Sequence, residues 1–166
     1  ISQLKMEEDK YKLPESKYFK ETDLFSFINK IIDTENDDYA LLCHEDVTVP
    51  QDIAQKVHNS VEIANSTYGE NNWSVLGNSG VEFLSQRTLT YVSDPHTRML
   101  PPATSTPLIV ESIDGNIMLL NLKNIRKKSI RMPKNLSGFH FYDLILCMES
   151  YKKGLICGIT SKLYVK

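Results

Sequence analysis

The sequence is poor in the residues and runs that mark specialised classes of protein. Its 166 residues include only three cysteines, and these sit in apolar runs without metal-site spacing, which argues against a disulfide-stapled or zinc-stabilised fold. No apolar run approaches the roughly 20 residues of a membrane-spanning helix, and no signal peptide is visible. A net charge of −2 gives no general attraction to nucleic acid or anionic membranes. We therefore expect a cytoplasmic protein with three buried cysteines in a reducing compartment.

The bulk composition is ordinary for a globular protein. Hydrophobic residues make up 41% of the chain and charged residues 24%. The length is enough for one domain with a substantial core and too short to expect two. We therefore expect a single domain over 1–166, in which 1–20 is an arm that is poorly ordered. The chain begins with Ile1 rather than Met, which suggests a fragment or a processed product. No feature specifies an oligomeric state.

Hydrophobic periodicity predicts alternating helices and strands in the first half of the chain and mostly strands in the middle. Apolar residues at helical spacing indicate helices over 22–33, from Pro50 to about Asn65, and over 141–151, the last ending before Gly154. Strands are predicted at 39–43, 73–77, 88–92, 108–113, 117–120, 155–159 and 163–165. Residues 93–107 are predicted to form a long loop. This order predicts an α/β domain whose sheet is mixed, mostly parallel and twisted, with flanking helices.

One predicted strand ends in a cluster of ionisable side chains. Tyr39–Cys43 is apolar, and His44, Glu45 and Asp46 follow it directly. Buried strands of α/β sheets have this pattern, and ligands of such sheets bind outside the carboxyl ends of the strands. A carboxylate there can hold a divalent cation against a phosphate, because hard cations prefer oxygen ligands. A carboxylate at this end of the strand is therefore a candidate metal ligand.

Four motifs give the chain a family resemblance. His44–Val47, Trp73–Gly77, Asp114–Met118 and Phe139–Asp143 resemble, in order and rough spacing, the motifs of nucleotide-sugar glycosyltransferases of the A-type fold. The resemblance is greatest to a family-2-like bacterial subgroup whose metal motif reads His-Gln-Asp-Val, and it covers the chain from about Thr22 to the end. It implies divalent-metal-assisted transfer of a sugar from a nucleoside diphosphate donor to a glycan or small-molecule acceptor, as in the synthesis of bacterial surface polysaccharides.

The resemblance also implies roles for individual residues. Asp46 matches the last carboxylate of the family's metal motif, which contacts Mn²⁺ or Mg²⁺ on the diphosphate, and His44 stands where many relatives have the first aspartate. Asp143 matches the general base of inverting members. Asp114 matches a position on the acceptor side. Asn29 resembles an asparagine on the helix before the metal strand and is assigned to donor binding.

Each of these residues also has a purely structural interpretation. Asp46 suits a helix cap or a solvated turn, and Asp143 suits the first turn of a helix, where the helix dipole favours a carboxylate. Asp114 precedes a glycine, which is a signal for a hairpin turn. His44 is either a phosphate or metal contact or a plain strand-end histidine. Trp73, the single tryptophan, is a candidate sugar-stacking platform, although a lone tryptophan is more often a core residue.

Two departures from the family pattern leave other functions open. Relatives begin with a strand-helix-strand unit that holds the nucleotide base, and only the helix over 22–33 precedes the metal strand here. Relatives also often have a metal-contacting histidine after the last strand, which is not found before Lys166. A fragment lacking these parts is expected to bind its donor poorly. The main alternative is a non-catalytic glycosyltransferase-like binding module, and a lesser one is a hydrolase with His44, Asp46, His58 and His96 as metal ligands.

Overall fold

The structure, a computed structural model, describes residues 22–93 and 102–165. The arm expected over 1–20 lies outside these residues, as do 94–101 of the expected long loop and His96. No helix in the described ranges is long and apolar enough to cross a membrane.

Strands and helices alternate up to the second strand, as the sequence predicts. The helices are α1 (Leu24–Thr34), α2 (Ile53–Tyr68), α3 (Leu122–Lys127) and α4 (Tyr142–Lys152), and a short 3₁₀ helix spans Ser161–Leu163. The strands are β1 (Tyr39–Cys43), β2 (Trp73–Gly77), β3 (Ser79–Glu82), β4 (Thr88–Thr90), β5 (Leu108–Ile113), β6 (Ile117–Asn121) and β7 (Ile156–Ile159). The sequence did not predict β3 or α3, and the strand expected at 163–165 is a 3₁₀ turn followed by a single bridge between Val92 and Val165.

The seven described strands form a mixed sheet in the order β1-β6-β2-β7-β5-β3-β4. The α/β class and the flanking helices are confirmed, but the prediction of a mostly parallel sheet is wrong. Of the six described pairings, only β2 with β7 is parallel. Short connections explain the difference, because parallel neighbours need a crossover of a dozen or more residues, and the middle of the chain has few connections that long.

Two pairs of consecutive strands change partners instead of folding back on themselves. Asn78 alone separates β2 from β3, and residues 114–116 separate β5 from β6. β5 pairs with β3 and β7, whereas β6 pairs with β1 and β2, so the turn between them is not the hairpin that the Asp-Gly pair predicts. The Asp114 N–H donates to the Ser79 carbonyl at 2.9 Å. This hydrogen bond joins the two places where the chain passes from one strand to the next.

β1 lies at one edge of the sheet rather than in its centre. It pairs with β6 alone, and its first four residues are half-buried instead of fully buried. Cys43 at its end is exposed, so the expectation of three buried cysteines holds only for Cys147 and Cys157. An apolar run indicates a strand but does not say how many neighbours the strand has.

Both faces of the sheet are covered by helices. Because side chains alternate along a strand, Val75, Met118 and Leu120 pack towards α1 and α4. Their neighbours Leu76 and Leu119 pack with α2 on the opposite face. This two-sided burial holds α4 against β5 and β7 and places its first residues beside the turn between β5 and β6.

Candidate functional site

The end of β1 meets the start of α4 through a chain of hydrogen bonds. The His44 N–H donates to the Asn116 carbonyl at 3.0 Å, which continues the β1–β6 pairing into the turn. The His44 Nε2 lies 2.6 Å from the Tyr142 hydroxyl, and that hydroxyl donates to the Gly115 carbonyl at 3.1 Å. The imidazole also packs against the ring of Phe139, with centroids 5.6 Å apart. Residues that are far apart in sequence therefore share one polar cluster.

The hydrogen-bond pattern assigns the protons of this cluster. A tyrosine hydroxyl has one proton, and a carbonyl can only accept. Because Tyr142 donates its proton to Gly115, His44 must donate from Nε2 to the Tyr142 oxygen. The Nδ1 atom of a neutral His44 then carries the lone pair, which makes it the ring atom able to accept a proton or bind a cation.

The Tyr142 hydroxyl is a permanent donor in this arrangement. Burial raises the pKa of Tyr142 well above its ordinary value, and the negative charges of Asp143 and Asp114 raise it further. The hydroxyl therefore stays protonated at physiological pH. Gly115, whose carbonyl accepts from this hydroxyl, follows Asp114 in the chain and donates its N–H to Asp143. The structure therefore brings three predicted site residues, His44, Asp114 and Asp143, around Tyr142.

Asp143 is held by backbone donors in the first turn of α4. Its Oδ2 accepts from the Gly115 N–H at 2.8 Å, and its Oδ1 accepts from the Leu144 N–H at 2.7 Å. Each oxygen keeps a further lone pair for another donor. The carboxylate is half-buried, so it is fixed in position and still reachable from solvent. A carboxylate with this combination of order and access can act as a general base.

A cleft of about 310 Å³ opens beside the two carboxylates. Asp114, Asp143 and Phe141 line it, together with residues of β3, β4 and β5. The Asp114 Oδ1 accepts from the Asn116 N–H at 3.0 Å, which stabilises the turn between β5 and β6. The volume is at the small end of the range for small-molecule sites, and the few convergent polar groups are typical of such sites.

Phe141 is the residue of this cleft that sequence reasoning missed. Its ring is exposed and its backbone is in the left-handed region, with φ of 63°. The periodicity of the sequence placed it on the apolar face of the helix instead. The one available signal was its position before the helix, where Ser, Thr, Asp and Asn are the usual residues.

Asp46 lies in an exposed turn directly beyond β1 and does not line the cleft. The turn is closed by the Val47 N–H donating to the His44 carbonyl at 3.3 Å. Within the described part of the chain, no three His, Cys, Asp or Glu side chains are grouped to hold a metal ion by themselves. Mg²⁺ is commonly held by one or two carboxylates together with substrate phosphates. The exposed Asp46 suits a site of that kind, in which the protein and the substrate each supply some of the metal ligands.

Two predicted donor-binding residues serve the fold instead. Trp73 is fully buried, its Nε1 donates to the Asn65 Oδ1 at 2.8 Å, and its ring stacks on Tyr39. The prediction that Trp73 is a sugar-stacking platform is wrong, because a ligand cannot reach a fully buried ring. The Asn29 amide donates to and accepts from the Met132 backbone, at 3.0 and 2.9 Å. That pair of bonds ties α1 to the segment after α3.

We predict that Gly115→Ala destabilises the protein by about 1–3 kcal/mol, the usual cost of overpacking. A Cβ at this position would lie 2.0 Å from the Tyr142 hydroxyl oxygen, so the tyrosine must move and its hydrogen bonds to His44 and Gly115 must break. The free energy of unfolding is measured by urea denaturation. Gly77→Ala is the control and should cost less, since its φ is not positive and a Cβ there would lie 3.3 Å or more from its nearest neighbours. A Gly115→Ala protein as stable as the parent would contradict the packing described here.

Comparison of the chain with known protein families and with curated proteins found no match.

Proposed function

We propose that this protein is a metal-dependent glycosyltransferase, of the A-type fold, that transfers a sugar from a nucleoside diphosphate donor to an acceptor hydroxyl. The observation that carries the proposal is that Asp114 and Asp143 line one cleft, next to the polar cluster in which Tyr142 joins His44 to Gly115. Three of the four sequence motifs that resemble this family thus contribute residues to one region of the fold, through His44, Asp114 and Asp143. The fourth motif, Trp73–Gly77, is fully buried in the sheet. The acceptor is a glycan or a small molecule, and the reaction takes place in the cytoplasm.

On the acceptor side, Asp143 is the general base. The acceptor hydroxyl binds in the cleft within hydrogen-bond reach of the carboxylate, and its oxygen attacks the anomeric carbon of the donor sugar. The bond from that carbon to the diphosphate breaks, the electron pair leaves with the diphosphate, and Asp143 takes the hydroxyl proton. A single displacement of this kind inverts the anomeric configuration. Asp114, which lines the same cleft, orients the acceptor.

On the donor side, Asp46 and the Nδ1 atom of His44 are the groups available to the diphosphate and its cation. Bound Mn²⁺ or Mg²⁺ supplies Lewis-acid stabilisation of the leaving diphosphate. The Tyr142 oxygen accepts a hydrogen bond from the Nε2–H of His44, which leaves the proton off Nδ1. Tyr142 thus positions the His44 ring without touching the substrate. The hydrogen bond from Tyr142 to Gly115 then links the donor side to the base.

The proposal is tested by release of nucleoside diphosphate. The purified protein, and the intact gene product if it is longer, is incubated with Mn²⁺ and a panel of UDP-, GDP- and dTDP-hexoses, with and without a panel of methyl glycosides. We expect metal-dependent release with one nucleotide class, increased by an acceptor. Lack of release from every donor, by both proteins, would overturn the assignment.

We predict that Asp46→Ala weakens binding of the matching nucleoside diphosphate in the presence of Mn²⁺ by about 5- to 150-fold, the usual range for coupling between two ligands. In the absence of metal the variant and the parent should bind the nucleotide equally. Isothermal titration calorimetry measures both. Glu45→Ala, which removes the neighbouring exposed carboxylate, is the control and should change neither value by more than twofold. Equal affinities of Asp46→Ala and the parent with Mn²⁺ would contradict the metal role.

A non-catalytic binding module is the second candidate function. The observation in its favour is that Asp114, Asp143 and the exposed Phe141 line the cleft and Asp46 does not, so the cleft can bind a sugar without a metal ion. Such a module would bind a glycan in the cleft, with no dependence on nucleotide or metal. The same calorimetry separates the two functions, because only the enzyme requires a nucleoside diphosphate site.

A further inference from the structure

Phe141 has a backbone conformation that aromatic residues rarely adopt. Its φ and ψ are 63° and 8°, in the left-handed region, at the residue directly before α4. Bulky side chains are genuine outliers there, and such conformations persist only where the surrounding structure imposes them. The side chain does not cap the helix either. A glycine or an asparagine at this position would satisfy the backbone better, so the helix start does not explain the phenylalanine.

The ring of Phe141 does not contribute to the core. It is 71% exposed, and the one ring contact described for it is an edge contact with the exposed His140, with centroids 6.5 Å apart. A large apolar side chain held in water stabilises the fold little. Strained backbone conformations cluster at binding and catalytic sites. The strain and the exposure together point to a role for the ring in binding.

The position of the ring defines what it can bind. Phe141 lines the same cleft as Asp143 and Asp114, so an apolar aromatic wall stands beside two carboxylates. A pyranose ring matches this combination, because it presents a face of C–H groups and an edge of hydroxyl donors. The cleft of about 310 Å³ suits one sugar ring rather than an extended oligosaccharide.

We propose that Phe141 is the acceptor-binding platform, and that the acceptor is a pyranose whose C–H face stacks on the ring while a hydroxyl points to Asp143. This inference rests on the proposed glycosyltransferase function and adds the chemical class of the acceptor. It also assigns to an exposed phenylalanine the stacking role that the sequence suggested for the buried Trp73.

The test uses a substitution that separates binding from stability. Phe141→Gly removes the ring and also relieves the left-handed strain, so the urea midpoint should rise while the KM for the pyranose acceptor rises at least tenfold and the KM for the donor stays within twofold. A merely structural phenylalanine would show the reverse, with a lower midpoint and an unchanged acceptor KM. Phe141→Tyr keeps the ring and should keep the acceptor KM within threefold.

Two control variants share one property each with Phe141→Gly. Ser129→Gly relieves strain at another left-handed residue, with φ of 53°, and should raise the urea midpoint without changing the acceptor KM. Phe83→Ala removes a ring that is 51% exposed in a different groove, lined also by Leu108 and Ile109, and should leave the acceptor KM unchanged.

A direct binding measurement distinguishes failure of this inference from failure of the proposed function. Saturation-transfer NMR with methyl β-D-glucopyranoside and methyl β-D-galactopyranoside reports contact of the pyranose C–H groups with the protein, and no donor is needed. Loss of at least four-fifths of the signal in Phe141→Gly, with the signal kept in Phe83→Ala, supports the platform even if no donor is turned over. A signal or an acceptor KM that is unchanged in Phe141→Gly overturns it, even if the protein proves to be a glycosyltransferase.

Discussion

Asp143→Asn is expected to reduce kcat for sugar transfer by about 10²- to 10⁴-fold, the contribution that a positioned general base makes. The amide has nearly the shape of the carboxylate, and its oxygen can still accept one of the two backbone bonds, from Gly115 or Leu144. It cannot take the proton of the acceptor hydroxyl. Initial rates at saturating donor and acceptor measure the change.

The control for this prediction is Asp52→Asn, which makes the same exchange at the N-terminus of another helix. Asp52 lies next to the start of α2, is exposed, and pairs with Lys56 on the surface. Its replacement should leave kcat within twofold, because it is far from the cleft in the fold. If Asp143→Asn folds normally and keeps more than half of the parental kcat, Asp143 is not the base.

Trp73→Ala is expected to lower the free energy of unfolding by about 3–5 kcal/mol, as for other large aromatic residues in protein cores. The indole is fully buried between the sheet and α2, stacks on Tyr39 with centroids 5.9 Å apart, and donates a hydrogen bond to Asn65. The alanine leaves a cavity and an Asn65 carbonyl without its donor. Urea denaturation measures the loss, and Trp73→Phe, which fills most of the cavity, provides a folded variant if the alanine protein is unstable.

The comparison is Phe83→Ala, a large-to-small change at an exposed aromatic residue. Surface substitutions of this kind usually change stability by less than about 0.5 kcal/mol. If Trp73→Ala were as stable as the parent and instead lost nucleotide or sugar binding, the tryptophan would belong to a ligand site and not to the core.

Local sequence pattern predicts most of the secondary structure of this chain. The predicted limits of β1, β2 and β5 agree with the structure, and the helix predicted over 22–33 is observed as α1, Leu24–Thr34. Gly154 has the left-handed φ of 75° that the end of a helix requires. These features depend on residues near one another in the chain, so their spacing contains the information. The strand β3 was missed because Gly77, just before it, suggested a turn.

Strand pairing depends on contacts that the local pattern does not contain. The apolar run of β1 is the same whether the strand has one neighbour or two, and it predicted a central strand where the structure has an edge. Similarly, the Asp-Gly pair after β5 indicates a turn but not whether the strands on its two sides pair with each other. They pair with different neighbours, and that change of partner creates the turn beside Asp143.

The sequence by itself determined which ionisable groups are present, namely the acidic and imidazole groups after β1 and the aspartate at the start of α4. It also determined most of the helix and strand order and a core large enough for one domain. Only the tertiary structure decided which of these groups meet, because Tyr142 contacts both Gly115 and His44, and His44 lies 98 residues before Tyr142 in the chain. It also decided which aromatic ring is exposed. Trp73 and Phe141 have similar apolar character, and burial depends on what packs against each ring, which no single stretch of sequence specifies.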